Sequence, residues 1–471
     1  MWNEAQIHAL VEGQRQFFRS GATMDVGWRI QQLKHLKKAV QAHEKEIELA
    51  LAQDLGRDAT EAYFCDIGSV ILEINEALHH LKRWARPETH WSGLVSFPSM
   101  ITKVYKVPYG TALIISPFNF PILLSLGVLA AAISGGNTAV IKASSKSAES
   151  TKVLQKLISS AFPPEYVTVV DGGHDVADLC LAERFDKIFY TGSPRVGVHV
   201  MEQAAKNLTP VTLELGGETG NWCIVRKDAD LKDAARKIAF FKILNSGQIC
   251  ININQVAVAE EVAEEFLDLL QKEFHRQIGP DPVHNEEYPC LITEAAYQKC
   301  AEEAEQYKDR IRLGGIGDRV LRKFAPTIIY PVGKDEPIVQ HELFSPLLPV
   351  VPFPDDQVDE ILQTIEAREH GLSLYIFTKD VAWAKQVLAR MQYGGGCINE
   401  VCLHLMVKGV PFGGVGHSGM GAYHGVWGFR EFTHPSTVLI GATKGNLPLR
   451  EHPYKGLKGA WKKKIIKLVE R

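Results

Sequence analysis

Several absences narrow the field before any motif is considered. The eight cysteines (Cys65, Cys180, Cys223, Cys250, Cys290, Cys300, Cys397 and Cys402) include no Cys-x-x-Cys pair and no histidine at ligand spacing. That excludes the usual zinc patterns and a disulfide framework, and leaves reduced thiols as the expectation, with no metal site. Charge of one sign is also scarce. A formal net charge of −3 over 471 residues gives no global field that would draw nucleic acid. No apolar run is long enough to span a bilayer: the longest, Phe120 to Ile133, falls short of the ~20 residues required and reads as a buried helix. The start, Met1-Trp-Asn-Glu-Ala-Gln, has no basic segment followed by an apolar core, so no signal peptide is read and a cytoplasmic location is expected. Internal repeats and low-complexity segments are missing too.

What remains is an ordinary globular composition, 45% hydrophobic and 23% charged, in a chain with room for two or three domains. Met24 to Ala52 carries Ile30, Leu33, Leu36, Val40, Ile47 and Leu51 near a period of 3.6, which predicts a long helix with one apolar face. Glu61 to Trp84 repeats the pattern. From Thr111 the texture changes to short apolar runs (Ala112–Ile115, Ala139–Ile141, Val167–Val170, Lys187–Tyr190) alternating with helical stretches, the last from Pro194 to Lys206. Such alternation predicts an α/β fold with a parallel sheet covered on both faces, a type that binds ligands at the carboxyl ends of its strands. A second alternating region runs from Asn221 to about Asn399. Val95–Pro108 and Phe432–Ile440 are β-rich and lie outside both. At the C-terminus, Lys455, Lys458, Lys462, Lys463, Lys464, Lys467 and Arg471 surround Trp461, Ile465, Leu468 and Val469. This reads as a basic amphipathic helix: a solvated helix packed back on the protein is the commoner form, and weak contact with an anionic membrane surface is the alternative.

Two segments carry chemistry. Thr212-Leu-Glu-Leu-Gly-Gly217 presents a carboxylate, Glu214, between leucines, where burial would raise its pKa and suit it to take a proton from water. Asn245-Ser-Gly-Gln-Ile-Cys250 presents a thiol, thirty-three residues beyond Gly217 and just past a helical pattern, Leu231–Leu244. A thiol can attack a carbonyl carbon, and a carboxylate can then activate the water that releases the acyl group. Each residue also has a plain reading, Cys250 as a small buried hydrophobe and Glu214 as a surface charge. In Pro117-Phe-Asn-Phe-Pro121, Asn119 offers a neutral donor for an oxyanion at a strand end, although a plain turn would serve alone. Thr191-Gly-Ser-Pro-Arg-Val-Gly197 joins a strand to a helix whose first turn contains Pro194; its free N–H groups and Ser193 suit a phosphate. That segment is neither G-x-G-x-x-G nor a P-loop.

Taken together, these segments resemble the NAD(P)-dependent aldehyde dehydrogenases. Pro411-Phe-Gly-Gly414 and His341-Glu-Leu-Phe-Ser-Pro346 extend the match, and Ser418-Gly-Met-Gly-Ala-Tyr-His-Gly425 with Phe432-Thr-His434 is similar to the class 3 branch of fatty and aromatic aldehyde dehydrogenases. The resemblance spans about Met24 to His434. It implies a parallel-sheet NAD(P)-binding domain (1–84 and 109–211), a second α/β catalytic domain (212–410) and a small β oligomerisation arm (85–108 and 430–445) followed by the basic tail (446–471). It implies NAD or NADP as cofactor, with contacts at Lys142, Ser145, Gly192, Ser193, Gly197, Leu215, Glu342 and Phe344. By the same resemblance Cys250 is the nucleophile, Glu214 the hydrolytic base, Asn119 the oxyanion donor, a small-molecule aldehyde the substrate and a homodimer the assembly. Two positions depart from the family pattern. Glu218 replaces the usual lysine after Leu-Gly-Gly, and Phe118 replaces a tryptophan whose indole can reach the cofactor phosphate. Ser145 stands where many NAD-specific relatives carry a glutamate that repels a 2′-phosphate, which predicts acceptance of NADP as well as NAD. A CoA-acylating relative, in which CoA takes the acyl group, and a non-catalytic binding or structural protein on the same fold are the alternatives.

Overall fold

The computed structural model describes residues 2–93, 101–444, 449 and 451–469. The first apolar stripe forms two helices rather than one. Val26–Ala42 and Glu44–Leu55 meet at His43, whose φ of −103° and ψ of 12° interrupt the helix and whose ring bonds back to the Ala39 carbonyl at 2.9 Å. The stretch expected as one helix from Glu61 to Trp84 also differs. It starts as Ala59–Ala62, widens into a π-turn over Tyr63–Ile67, and continues as Gly68–Trp84. Cys65, Asp66 and Ile67 of this wider turn are all buried.

A six-stranded sheet follows, in the order Gly419–Met420, Val211–Leu215, Lys187–Gly192, Thr111–Ile115, Thr138–Lys142, Val167–Val170. All neighbours are parallel except the first pair. Side chains alternate across a strand, so Leu113, Val140, Ile188 and Leu213 pack on one face in a cluster with Ile7, Val176 and Val200 of the flanking helices. Ala112, Ile114, Ala139 and Ile141 pack on the other with Leu126, Leu129 and Ile133. Burial on both faces explains why these strands read as unbroken apolar runs. The helix Leu123–Gly135, between the strands Thr111–Ile115 and Thr138–Lys142, is itself almost wholly buried, and a Cβ on Gly135 would lie 2.6 Å from the Phe432 carbonyl oxygen.

The second sheet has seven strands in the order Ile311–Leu313, Thr327–Ile329, Leu347–Phe353, Ile253–Ala259, Asn221–Val225, Ser373–Phe377, Gly395–Ile398. Only the Ile311–Leu313 pairing is antiparallel. The strand Val211–Leu215 belongs to the first sheet, so the expected boundary at 211/212 falls within that sheet, and the chain returns to it at Gly419–Met420. Glu88–Trp91, Ile101–Pro108 and Thr433–Ile440 form a separate antiparallel ribbon, paired from Thr433 opposite Pro108 to Ile440 opposite Ile101. Positions 95–100 of the β-rich stretch expected there lie outside the described residues. The ribbon leaves Ile101, Tyr105, Val107, Val438, Leu439 and Ile440 exposed. In the tail, Gly456–Val469 is helical; Leu457, Trp461 and Leu468 are exposed beside Lys463, Lys464 and Lys467, and Lys462 donates to carbonyls of Glu451 and Pro453. Tail positions 446–448, 450, 470 and 471 are outside the described residues. Among the described residues no helix is long and apolar enough to cross a membrane.

Candidate active site

Cys250 lies in the tight passage between the helix Leu231–Ile243 and the strand Ile253–Ala259. The passage is strained: Asn245 (φ 50°) and Ser246 (φ 52°) hold left-handed conformations that cost about 1–3 kcal/mol each for non-glycine residues. Gly247 follows at φ 77°, where a Cβ would lie 2.2 Å from the Ser345 carbonyl oxygen. A buried hydrogen-bond network compensates. The Asn245 backbone N–H donates to Glu61 Oε1 at 2.8 Å, and its side-chain amide donates to the carbonyls of Gln248 (2.9 Å) and Asn119 (3.1 Å). Gln248 in turn donates to the Asn245 and Cys290 carbonyls and accepts from the Ile292 N–H.

Asn119 comes from the loop after the strand Thr111–Ile115 and is buried beside this passage. Its side-chain Nδ2 donates to the Gln248 carbonyl at 3.1 Å, using one of its two N–H groups. Arg57 locks the two loops together. Its guanidinium is fully buried, donating to the Asn119 carbonyl, to Asn245 Oδ1 at 3.1 Å and to the Asp66 carboxylate. Asp66 then accepts the N–H groups of Ile122 (3.0 Å) and Leu123 (2.8 Å), free donors at the start of the helix that follows Asn119. Burial raises the Asp66 pKa, opposed first by Arg57, and pushes Glu61 up to about 7, again opposed by Arg57.

Glu214 sits at the carboxyl end of the strand Val211–Leu215, where both carboxylate oxygens are buried and without a hydrogen-bond partner. Burial holds its carboxyl well above the usual range, and the Glu431 carboxylate adds to that. The Cys250 thiol is pushed up to about 12, by burial first and then by Glu342 and Glu214. The thiol opens on an apolar pocket of about 80 Å³ whose walls include Phe64, Phe120, Leu124, Phe241, Phe412 and Tyr423. The thiol thus faces an apolar pocket, feels the buried Glu214 carboxyl, and sits on the turn whose Gln248 carbonyl accepts from Asn119. The arrangement can hold a carbonyl carbon against sulfur and keep its substituent in an apolar wall.

A larger cleft of about 610 Å³ lies at the carboxyl ends of the first sheet's strands. Its walls include Lys142, Ser145, Lys146, Gly192, Ser193 and Phe118. Lys142 Nζ donates to the carbonyls of Ala143 and Gly172 at 2.8 Å each, and burial lowers its pKa. Ser193 precedes the helix Pro194–Ala205 without spending its side chain on a cap, and Thr191 Oγ1 is buried and unpartnered. Size, unspent donors and a helix N-terminus fit an extended anionic ligand such as a dinucleotide. Gly197 and Leu215 pack on each other: a Cβ on Gly197 would meet Leu215 Cδ2 at 3.1 Å. That contact seats the helix closely on the strand. Glu342 lies against Gly216, whose Cβ would come within 2.1 Å of its Oε1, and burial pushes the Glu342 carboxyl up to about 8. Phe344 packs edge-on against Phe118 (centroids 5.9 Å), and Lys146 Nζ lies 5.2 Å over the other partner's ring, Phe118. Phe118 thus lacks an indole donor but touches both Lys146 and Phe344.

Glu218, the other departure, turns outward and meets His417 Nδ1 at 2.8 Å. It is not among the groups that raise Glu214. Arg57, Asp66, Glu61 and Glu431 carry no local motif in the sequence; their bonds to Asn119, Ile122, Asn245 and Thr212 join segments far apart in the chain.

The chain matches the sequence profile of the aldehyde dehydrogenase family over residues 1–438. It is similar to 4,4'-diaponeurosporen-aldehyde dehydrogenase of Staphylococcus aureus, 36% identical with 93% of this chain and 95% of that protein covered. It is also similar to the dimeric NADP-preferring aldehyde dehydrogenase of Rattus norvegicus, 34% identical over 93% and 95% of the two chains. The fold superposes on the substrate-bound state of Staphylococcus aureus AldH with a TM-score of 0.94 at 35% identity, covering 99% of each chain.

Proposed function

The chain belongs to the aldehyde dehydrogenase family and is an NAD(P)-dependent aldehyde-oxidising enzyme, and from that premise we propose that Cys250, Glu214 and Asn119 carry the reaction. The observation that bears most weight is the meeting of a thiol and an unpartnered buried carboxyl beside an apolar pocket. The Cys250 S–H bond breaks, its proton passing to water, as Sγ adds to the aldehyde carbon, and the resulting oxyanion takes hydrogen bonds from the second Asn119 N–H and the Cys250 backbone N–H. The chemistry that NAD or NADP supplies when bound is acceptance of a hydride. Lys142, Ser145 and Ser193 would hold its adenosine and phosphate portion, and Glu342 and Phe344 its nicotinamide end. Once the carbon stands at the thioester level, Glu214 takes a proton from water as that water's oxygen adds to it. Collapse expels the Cys250 sulfur and releases the carboxylic acid.

The pocket beside Cys250 is walled by Phe64, Phe120, Phe241 and Phe412, so the preferred substrate is an aldehyde on an apolar aliphatic or aromatic body. The first sheet with its flanking helices, the strand Val211–Leu215 included, is the cofactor-binding unit, the second sheet the catalytic unit, and the ribbon of Glu88–Trp91, Ile101–Pro108 and Thr433–Ile440, with its exposed apolar residues, the arm that pairs two subunits. A homodimer follows from that apolar face, and the basic tail is suited to weak contact with an anionic membrane surface. Eight free cysteines fit a reducing, cytoplasmic setting. An aldehyde panel read by NAD(P)H absorbance, with each cofactor and with or without CoA, tests the reading. Oxidation of apolar aldehydes without CoA supports it; strict dependence on CoA would assign the acyl group to CoA rather than water, and no turnover would leave a binding protein.

A further inference from the structure

Hydrolysis deposits a proton on Glu214 in every cycle, and that proton has to leave a carboxyl sealed from solvent. Neither oxygen of Glu214 has a protein partner. Thr212 lies two residues earlier on the same strand and so projects from the same face, and both side chains are buried. The Thr212 hydroxyl donates to Glu431 Oε2 at 2.5 Å, and Lys187 Nζ donates to that same oxygen at 2.9 Å. Glu431 is anchored on its other oxygen by the Ala422 N–H at 3.4 Å. Unlike Glu214, it reaches water: its side chain is 23% exposed, while Lys187 is 3% exposed. The groups that face Glu431 are Lys187 from the strand Lys187–Gly192, Thr212 and Glu214 from the strand Val211–Leu215, and Tyr109 from the loop before Thr111.

Resting on the assignment of Glu214 as the hydrolytic base, we infer that Glu431, held by Lys187 and Thr212, is the positioning residue through which Glu214 returns its proton to solvent. The step balances without any further reactant. The O–H bond of protonated Glu214 breaks, its proton passes by way of water to a Glu431 oxygen, and Glu431 then loses a proton to bulk water. Glu214 is left as the carboxylate needed for the next cycle. Support comes also from the electrostatics, since Glu431 is the one charged group that adds to the burial effect on Glu214 among the described residues. Lys187 tempers that repulsion while keeping the relay carboxylate in place.

The test is Glu431→Gln, followed through the NAD(P)H burst and the steady state at fixed pH in increasing concentrations of imidazole buffer. The expected result is an intact burst, a steady state slowed by about tenfold or more, and recovery that rises and saturates with buffer, because a small buffer can carry the stranded proton. Glu431→Asp is the second variant: it keeps a carboxylate and is expected to turn over faster than the amide variant without buffer dependence. A wild-type steady state in Glu431→Gln, or a slowed one indifferent to buffer, would overturn the relay. Equal slowing of both variants would do the same. Loss of the burst would instead count against the assignment of Cys250 and Glu214 on which the relay rests.

Discussion

The side-chain amide of Asn119 donates to the backbone carbonyl of Gln248 at 3.1 Å, so the proposed oxyanion donor is fixed to the very turn that carries Cys250. Sulfur and donor therefore move as one unit. Asn119→Ala removes both the tie and the donor. A fall in kcat of about 10²–10³-fold is expected, the usual effect of losing one oxyanion donor, with KM changed little. Steady-state kinetics on a good aldehyde would check it, and a variant that lost only KM would deny Asn119 the role.

Arg57 is expected to matter for stability as much as for rate. Its guanidinium and the Asp66 carboxylate are both fully buried, and removing one leaves the other charged without compensation. Arg57→Leu should cost about 3–5 kcal/mol, read from the urea midpoint at constant m-value. It should also lower kcat by loosening Asn119 against Asn245.

The Cys250 thiol, pushed up to about 12 by burial and by its two carboxyl neighbours, is protonated at neutral pH in the free protein. A raised pKa means that the thiolate fraction grows throughout the alkaline range. Carbamidomethylation of Cys250 should therefore accelerate about tenfold per pH unit between pH 7 and 9. A plateau near pH 8.5, the value of an ordinary thiol, would show that local groups do not hold the proton on sulfur.

Cofactor choice turns on the exposed wall of the larger cleft. Ser145 brings no repulsive carboxylate there, and Lys146, stacked over Phe118, adds a cation within reach of it. NADP and NAD are both expected as substrates, with kcat/KM for NADP within about a thousandfold of that for NAD. Ser145→Glu should weaken NADP use selectively. A wider gap in the wild type would mean that other contacts exclude the 2′-phosphate.

The parts legible in the sequence were those carried by local pattern. Cys250, Glu214 and Asn119 each sit in a short segment whose glycines or prolines mark a turn, and the apolar runs of the first sheet announce strands buried on both faces. Arg57 is different. It bonds across 62 residues to Asn119 and 188 to Asn245, and nothing around it is periodic. Glu431 meets Thr212 across 219 residues, after a strand at Gly419–Met420 too short to recognise by composition. The π-turn at Tyr63–Ile67 and the break at His43 escaped for a related reason: one extra or one missing helical residue barely disturbs a 3.6-residue pattern. Gly197 and Leu215, which the resemblance groups with the cofactor residues, pack on each other between helix and strand, a contact no local pattern announces.

The central claim, that Cys250 carries the acyl group and Glu214 serves its hydrolysis, is met most directly in one variant. Glu214→Gln keeps the size of the side chain and removes the base. Mixed with aldehyde and cofactor, it should give a rapid NAD(P)H burst of about one equivalent per active site, then a steady state slowed by about 10²-fold or more. Intact-protein mass spectrometry after the burst should find the acyl group on Cys250. A burst without an adduct on Cys250, or no burst at all, would contradict the account.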